Sequence, residues 1–205
     1  SNDFPYSQLY MYDPGRNTWT RKRDIPFVPT PRLGGSDRFA AGDGVTGVID
    51  GKLYVLPGLC STIFFPEPGY CSRSDTRRFF RYDPAANRWA ARPWAPHNHA
   101  QGAGAVIQGK LYVVGGVNPR TGTAGADLDV YDPATNTWRT LAPIPTAGRA
   151  IGAVIGGKFF VIVQTSSGQR RSYDYTPSTN LWRSRAAPRL PPGNSLTPST
   201  IICGV

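Results

Sequence analysis

Glutamate is almost absent from this chain, which limits the catalytic chemistry that the sequence can support. Glu67 is the only glutamate among 205 residues, and this weakens an interpretation as a glycosidase with paired carboxylates. No G-x-S-x-G, Walker A or H-E-x-x-H motif occurs, so the signatures of common hydrolases and phosphate-binding enzymes are missing. No apolar run approaches the roughly 18 residues of a transmembrane helix. The sequence therefore carries no familiar catalytic signature and no transmembrane segment.

Lysine is also scarce, and arginine supplies most of the positive charge. Four lysines stand against nineteen arginines, and the net charge is +10. A basic excess suits nucleic acid, an acidic polysaccharide or another anionic surface. However, the arginines are scattered, and no zinc-finger spacing or RNA-binding aromatic motif accompanies them. We therefore expect no nucleic-acid partner, and the charge indicates either an electrostatic binder of acidic glycans or a solvated basic surface.

Cysteine is limited to three residues, and none of them has the spacing of a zinc site. Cys60 and Cys71 bracket a short segment, and a disulfide between them would stabilise the fold by about 2–3 kcal/mol. Such a bond would imply an oxidising compartment, so we expect an extracellular or secreted protein. The alternative is three reduced thiols in a cytosolic protein.

Tyrosine, proline, asparagine and tryptophan recur at one fixed spacing, in four copies. The copies are Tyr12-Asp-Pro-Gly-Arg-Asn17-Thr-Trp19, Tyr82-Asp-Pro-Ala-Ala-Asn87-Arg-Trp89, Tyr131-Asp-Pro-Ala-Thr-Asn136-Thr-Trp138 and Tyr175-Thr-Pro-Ser-Thr-Asn180-Leu-Trp182. Proline ends a strand because it cannot donate to a β-ladder, and asparagine tolerates the positive φ of a turn exit. Each copy therefore predicts a β-hairpin, with the tryptophans as packing residues.

A second pattern precedes the hairpin in three of the copies. It consists of an apolar run, a two-residue turn and a second apolar run. The turns are Asp50-Gly51, Gln108-Gly109 and Gly156-Gly157. Asp-Gly and Gly-Gly fit a primed hairpin turn, and apolar residues on both sides indicate strands buried on both faces. Lys52, Lys110 and Lys158 follow the turns at one phase, which favours a solvated turn position over a catalytic amine. One unit is therefore an inner and an outer hairpin.

The run Gly109-Lys-Leu-Tyr-Val-Val-Gly-Gly116, followed by the Tyr131–Trp138 pattern, resembles the kelch repeat. That resemblance implies an all-β protein, a kelch-type β-propeller with about four blades of four-stranded antiparallel sheet. We expect one domain over residues 1–205, although Pro57 and Gln164 interrupt the family's double-glycine position in two copies. The expected units are an outer hairpin at 8–23, full units at 38–92, 99–141 and 149–185, and a closing strand at 199–204.

The expected series of units starts with an outer hairpin and stops after one strand, so its first and last blades are incomplete. Two arrangements are compatible with this. Residues 199–204 could pair with the hairpin at 8–23 and close a small four-bladed ring. Alternatively, the chain is part of a larger propeller, or it completes itself by self-association. Open blades would leave edge strands and apolar faces exposed.

Function is expected on the loops, because strand order places the blade connections and the loops between inner and outer hairpins on one face. The largest insertion lies around Cys60–Cys71 and carries aromatic residues followed by arginines, which suggests a lid, a partner-contact patch or a cover over an open edge. The candidate binding residues are Phe64, Phe65, Tyr70, Arg77, Arg78, Trp94, His97, His99 and Arg149.

Both histidines of the chain lie in the run Pro96-His97-Asn98-His99. In an extended segment His97 and His99 point to the same side, so they could hold a metal or move a proton. No third ligand is identifiable, and we expect no metal site. Asp127 and Asp129 have the same spacing, at the start of an outer strand where solvated charge is the ordinary expectation.

These features favour a non-catalytic interaction module that recognises a protein or a carbohydrate without a cofactor. The resemblance also permits a sugar-directed enzyme, since some kelch-type propellers are oxidases or epimerases. An oxidase of that kind would need copper with tyrosine and histidine ligands, and a Tyr–Cys pairing cannot be placed here. An epimerase-like site would use Arg38, Arg149 and His99.

Overall fold

The computed structural model describes residues 8–26, 28–29, 36–37, 43–58, 77–119 and 121–187. All regular elements in these ranges are β-strands. The first two, β1 (Leu9–Asp13) and β2 (Thr18–Lys22), form the first hairpin. A small two-stranded sheet follows, formed by β3 (Val28–Pro29) and β4 (Ser36–Asp37). Residues 60, 64, 65, 70 and 71, with the expected disulfide and aromatic insertion, and the expected closing strand at 199–204 lie outside the described residues.

Three four-stranded antiparallel sheets make up the rest of the fold, each with its strands in chain order. Sheet I contains β5 (Val45–Ile49), β6 (Lys52–Leu56), β7 (Phe79–Asp83) and β8 (Arg88–Arg92). Sheet II contains β9 (Ala103–Ile107), β10 (Lys110–Val114), β11 (Leu128–Asp132) and β12 (Thr137–Leu141). Sheet III contains β13 (Arg149–Ile155), β14 (Lys158–Gln164), β15 (Arg170–Thr176) and β16 (Leu181–Arg185).

The turns form as the sequence predicts, because their residues adopt positive φ. The asparagine before each repeat tryptophan has φ between 46° and 56°, at Asn17, Asn87, Asn136 and Asn180. The inner hairpins turn on residue pairs that both have positive φ, as at Asp50 (47°) and Gly51 (68°). This is the geometry of the type I′ turn, which matches the twist of the flanking strands. Register is therefore fixed locally in every repeat.

The sheets stack face to face in chain order, and apolar side chains fill each junction. One cluster joins the first hairpin to sheet I, a second joins sheet I to sheet II, and a third joins sheet II to sheet III. The innermost strands β5, β9 and β13 contact one another in turn. This close approach needs glycine: a Cβ on Gly104 in β9 would lie 2.1 Å from Val45 Cγ1 in β5. The architecture is that of successive propeller blades.

The described sheets do not close into a ring. The first hairpin packs on sheet I alone, and no described strand packs against its other face. Trp19 is consequently 69% exposed, whereas its equivalent Trp89 is 7% exposed. The tryptophans were all expected to be packing residues, and Trp19 departs from this because nothing in the described part of the chain covers it. The described strands therefore form a partial ring.

Candidate functional site

The candidate site lies on the loop face, where the segment between β8 and β9 meets the loop between β10 and β11. The Val117 amide donates to the Ala100 carbonyl at 2.7 Å, and the Gly116 amide donates to the Gly148 carbonyl, also at 2.7 Å. Blade connections and inner-to-outer loops thus share one face, as strand order requires. Backbone hydrogen bonds give these loops a fixed position on the rigid sheets.

A cleft of about 460 Å³ opens between these loops. Its walls combine charged, amide and hydroxyl groups with small apolar residues. They are formed by Arg77, Pro96, His97, Asn98, Asn118, Thr121, Thr123, Ala124, Gly125 and Asp127. Such a concave surface with convergent polar groups is the usual form of a binding site.

Trp94 is connected to this cleft through Arg77, which lines the cleft and, with Arg78, lies against the Trp94 ring. The Arg78 guanidinium carbon lies 5.0 Å from the ring centroid, and that of Arg77 lies 5.8 Å away. The Trp94 side chain is nevertheless 48% exposed. The arrangement is anchored because the Ala95 amide donates to the Arg77 carbonyl at 2.8 Å. The structure thus brings together Arg77, Arg78 and Trp94, three of the binding residues predicted from the sequence.

His97 projects into the cleft and is held from below by a buried carboxylate. Its Nδ1 lies 3.0 Å from Asp129 Oδ2, and its backbone amide donates to the same oxygen at 3.2 Å. Its Nε2 faces Asp127 Oδ1 at 3.7 Å. His97 therefore lies between an exposed and a buried carboxylate, and its ring orientation is fixed.

Asp129 is fully buried, although the sequence predicted a solvated carboxylate there. The correction has a physical reason: the β8–β9 segment docks over β11 and brings hydrogen-bond donors to both carboxylate oxygens. Thr140 Oγ1 donates to Oδ1 at 2.8 Å, and His99 Nε2 lies 3.0 Å from Oδ2. Burial alone would raise the pKa of Asp129, but the hydrogen bond and charge of His99, with Thr140 and His97, outweigh burial and lower this pKa.

His99 lies beneath the cleft and does not line it. It is 1% exposed, its Nδ1 lies 2.8 Å from the Gly115 carbonyl oxygen, and its Nε2 faces Asp129. A carbonyl can only accept, so Nδ1 is the donor in the contact with Gly115. His99 therefore holds two loops and a carboxylate together, with both ring nitrogens engaged.

The same junction in the next repeat shows what this cluster does structurally. Thr146 and Tyr173 occupy the positions of His97 and Asp129, and their hydroxyls are 2.6 Å apart. The blade connection is thus tied to the following outer strand in both repeats, by different chemistry. His97 and Asp129 form this tie with an imidazole and a carboxylate, whereas Thr146 and Tyr173 form it with two hydroxyls.

Arg149 is exposed and lines a neighbouring cleft of about 310 Å³ with Gln164 and Thr165. Ala124 lines both clefts, so Arg149 extends the same face. Asn118 and Thr123 also line the main cleft, but they carry no aromatic ring, positive charge or imidazole and were not predicted from the sequence. Their position in the β10–β11 loop, opposite the two histidines, was the available signal.

Within the described ranges, no three histidine, cysteine or acidic side chains are grouped so as to hold a metal ion. The described part of the chain also contains no helix long and apolar enough to cross a membrane.

The stacked four-stranded blades and their loop-face cleft define a β-propeller repeat protein. The Kelch motif family model matches residues 100–145, which contain all four strands of sheet II. The chain is 25% identical over 183 residues to human Kelch-like protein 23, covering 87% of this chain and 28% of that protein. The repeats and these matches make the chain similar to kelch-repeat proteins, with a Kelch motif at residues 100–145.

Two further relatives also have kelch in their names. Kelch-like protein 35 of Mus musculus is 29% identical over 123 residues, which are 60% of this chain and 21% of that protein. An F-box/kelch-repeat protein of Arabidopsis thaliana is 34% identical over 102 residues, which are 48% of this chain and 19% of that protein. The chain thus spans about a fifth to somewhat over a quarter of these relatives' length.

Proposed function

We propose that the chain is a protein-binding module and that its loop face holds a segment of the partner in the cleft beside Trp94. The observation that carries this proposal is the exposed Trp94 ring with Arg77 and Arg78 against it. Tryptophan and arginine are the side chains that most often dominate binding energy at protein interfaces.

The cleft chemistry supports a particular kind of segment. Arg77 lies at the junction of the cleft and the Trp94 ring, and its Nη1 donates to the Pro96 carbonyl at 3.3 Å. The guanidinium retains further donors for a partner's carboxylate. The exposed indole beside it offers a surface for an apolar side chain. A partner segment that carries an acidic residue next to an apolar one therefore fits best.

Support for an enzyme is weaker. The epimerase-like set of Arg38, Arg149 and His99 is not assembled as a site, because the His99 ring is buried with both nitrogens engaged. Arg38 lies outside the described residues. A base for proton transfer must reach the substrate, which this position of His99 prevents.

The test is selection of a random-peptide display library on the wild-type chain, followed by affinity measurements on the enriched peptides. We expect enrichment of peptides with an acidic residue beside an apolar one. Trp94→Ala and Arg77→Ala should each weaken binding by at least about tenfold, the scale of an interface hot spot. Arg88→Ala is the matched control, because Arg88 is exposed at the opposite end of the sheets.

Peptides that bind Trp94→Ala as tightly as the wild type would contradict the proposed surface. A neutral and acidic glycan array, run on the same variants, separates the carbohydrate alternative. Glycan binding that depends on Trp94, without any peptide enrichment, would replace the protein partner by a carbohydrate. Glycan binding that is insensitive to Trp94 and disappears with added salt would indicate general electrostatic attraction.

A further inference from the structure

Every described junction between successive repeats uses the same hydrogen bond from the repeat tryptophan. The indole Nε1 donates to the carbonyl of the residue four positions after the tryptophan of the preceding repeat. Trp89 donates to Arg23 at 2.7 Å, Trp138 to Pro93 at 2.9 Å, and Trp182 to Ala142 at 2.8 Å. We call the residue that accepts this bond the acceptor residue of its repeat.

The repeat asparagine completes the junction from the other side of the acceptor residue. Asn87 Oδ1 accepts the Arg23 amide at 2.9 Å, and Asn180 Oδ1 accepts the Ala142 amide at 3.0 Å. Asn136 has no equivalent bond, because Pro93 has no amide hydrogen. Each junction is therefore a two-point connection wherever the acceptor residue is not proline.

The first hairpin has the tryptophan and asparagine of this connection, but no described acceptor residue lies against them. Tyr12 packs on Trp19 with ring centroids 5.0 Å apart, and Tyr12 hydroxyl donates to Asn17 Oδ1 at 2.8 Å. The same pair in sheet I has the same geometry, with Tyr82 5.0 Å from Trp89 and 2.7 Å from Asn87. The first hairpin is therefore preorganised to receive an acceptor residue, yet Trp19 is 69% exposed.

Sheet III carries the complementary half. Ala186 lies four residues after Trp182, so it is the acceptor residue of this repeat, and it is exposed. The innermost strand of sheet III is also uncovered at its turn end: Ile155 is 54% exposed, whereas its equivalents Ile49 and Ile107 are 3% and 5% exposed.

Aromatic contacts extend the match between the two faces. Tyr54 in sheet I lies 5.6 Å from Tyr131 in sheet II, and Tyr112 in sheet II lies 6.1 Å from Tyr175 in sheet III. By repeat position, Phe160 of sheet III corresponds to Tyr54 and Tyr112, and Tyr12 corresponds to Tyr131 and Tyr175. Tyr12 is 42% exposed, so an aromatic pair is available at this interface as well.

We propose that the first hairpin of one copy docks on sheet III of a second copy, and that the connection between repeats is thereby continued across two chains. Trp19 Nε1 donates to the Ala186 carbonyl, and the Ala186 amide donates to Asn17 Oδ1. A second copy is the occupant because Trp19 and Tyr12 on the hairpin and Ile155 on sheet III are all exposed in a single chain, so these two faces do not cover each other within the described residues. The contact is head-to-tail, so two copies can make it twice and close a ring.

The test is the solution mass of the full chain by sedimentation velocity over a range of concentrations. We expect a dimer that becomes tighter as salt rises, because the chain's charge of +10 opposes self-association. Trp19→Ala removes one face and Ile155→Arg removes the other, and each variant alone should dimerise at least about tenfold more weakly.

Mixing the two variants separates the proposed contact from any other. The Trp19→Ala chain keeps its sheet III face, and the Ile155→Arg chain keeps its hairpin, so the mixture should form one heterodimer through one intact contact. Trp94→Ala is the matched control: Trp94 is 48% exposed but lies on the loop face, and its loss should leave the dimer unchanged. This control also keeps a failure here distinct from a failure of the protein-binding surface.

Three results would overturn the proposal. A wild-type monomer whose Trp19 is protected from oxidative labelling would show that the chain's own sheet III closes the ring. A monomer with Trp19 labelled freely would show an open face. A dimer that survives both substitutions would place the contact elsewhere.

Discussion

At the residue scale, the repeat asparagine has two structural roles, and its place in the repeat pattern indicates only the first of them, the turn. It adopts positive φ to end the turn, and its side chain accepts hydrogen bonds from its own hairpin and from the preceding repeat. Asn180 accepts from the Tyr175 hydroxyl at 2.8 Å and the Ala142 amide at 3.0 Å, while Asn136 accepts only from Tyr131 among described partners. The difference follows from a single proline at position 93.

This difference predicts unequal costs for the same substitution. Asn180→Gly and Asn136→Gly both preserve positive φ, and both remove the hydrogen bond from the tyrosine hydroxyl. These two changes therefore affect the free energy of unfolding equally in the two variants. Asn180→Gly also leaves the Ala142 amide without its partner. We expect it to lower the free energy of unfolding by about 1 kcal/mol more than Asn136→Gly, the net worth of one hydrogen bond. Urea unfolding of the two variants measures the difference, and equal losses would contradict the inter-repeat bond.

At the element scale, the ties between blade connections and outer strands differ in chemistry from one junction to the next. His97 and Asp129 tie sheet II to its preceding connection, whereas Thr146 and Tyr173 do so for sheet III. Only the first of these two ties contains a carboxylate. The pKa of Asp129 lies below its ordinary value of 3.8 because hydrogen bonds and charge from the histidines and Thr140 outweigh its burial.

The Asp129 tie predicts a loss of stability in acid. A carboxylate whose folded pKa is lowered contributes fully above its unfolded pKa, and this contribution is lost as the pH falls through the folded pKa. The pKa values of Asp83 and Asp132 are also lowered, chiefly by hydrogen bonds from Lys52 and Lys110. The urea midpoint should therefore fall as the pH drops below about 4, with Asp129 contributing to this fall.

Two variants isolate the contribution of Asp129. Asp129→Asn should cost about 3 kcal/mol at neutral pH, because it removes one member of a buried charged cluster, and it should flatten the acid dependence. Asp83→Asn, at a solvent-accessible carboxylate, should change the free energy of unfolding and its dependence on acid much less. His97→Ala provides a milder perturbation of the same tie if Asp129→Asn unfolds. An acid dependence that is unchanged in both Asp129→Asn and His97→Ala would exclude this origin.

The sequence predicted the strands well and the buried polar cluster poorly, for a physical reason. Turn residues such as Asn87 and Gly109 impose positive φ locally, so repeat spacing alone sets the hairpins and their register. The burial of Asp129 depends on His97 and His99, which lie about thirty residues away in sequence, so no local pattern around Asp129 reveals it. The lysines after the inner turns are partly exposed, and sequence spacing did not show that Lys52 pairs with Asp83 at 2.7 Å.

At the scale of the whole molecule, stability is distributed unevenly along the array. Sheet II packs against sheet I on one side and sheet III on the other, whereas the first hairpin packs only on sheet I. In repeat proteins each unit is stabilised mainly by its neighbours. The strands of sheet II are therefore the best supported among the described residues.

Hydrogen exchange should reproduce this order. At low protein concentration, amides in β10 should exchange at least about tenfold more slowly than those in β1 and β2, because local opening is easiest where neighbours are fewest. Raising the concentration should slow exchange in β1 and β2 if the hairpin docks on a second copy. Mass-spectrometric exchange at two concentrations measures both effects. Equal protection of all strands would show that the array opens as one cooperative unit.

The tryptophan–acceptor connection also makes the repeats interchangeable parts. Each full repeat contributes an indole donor toward the repeat before it and, four residues after that indole, an acceptor toward the repeat that follows. A duplicated segment cut just after an acceptor residue, such as Ala142, would begin and end with matching connections on both sides. Tandem duplication could thus lengthen such a chain by whole blades without redesigning any junction, and the same cut points mark where an engineer should insert or exchange a blade.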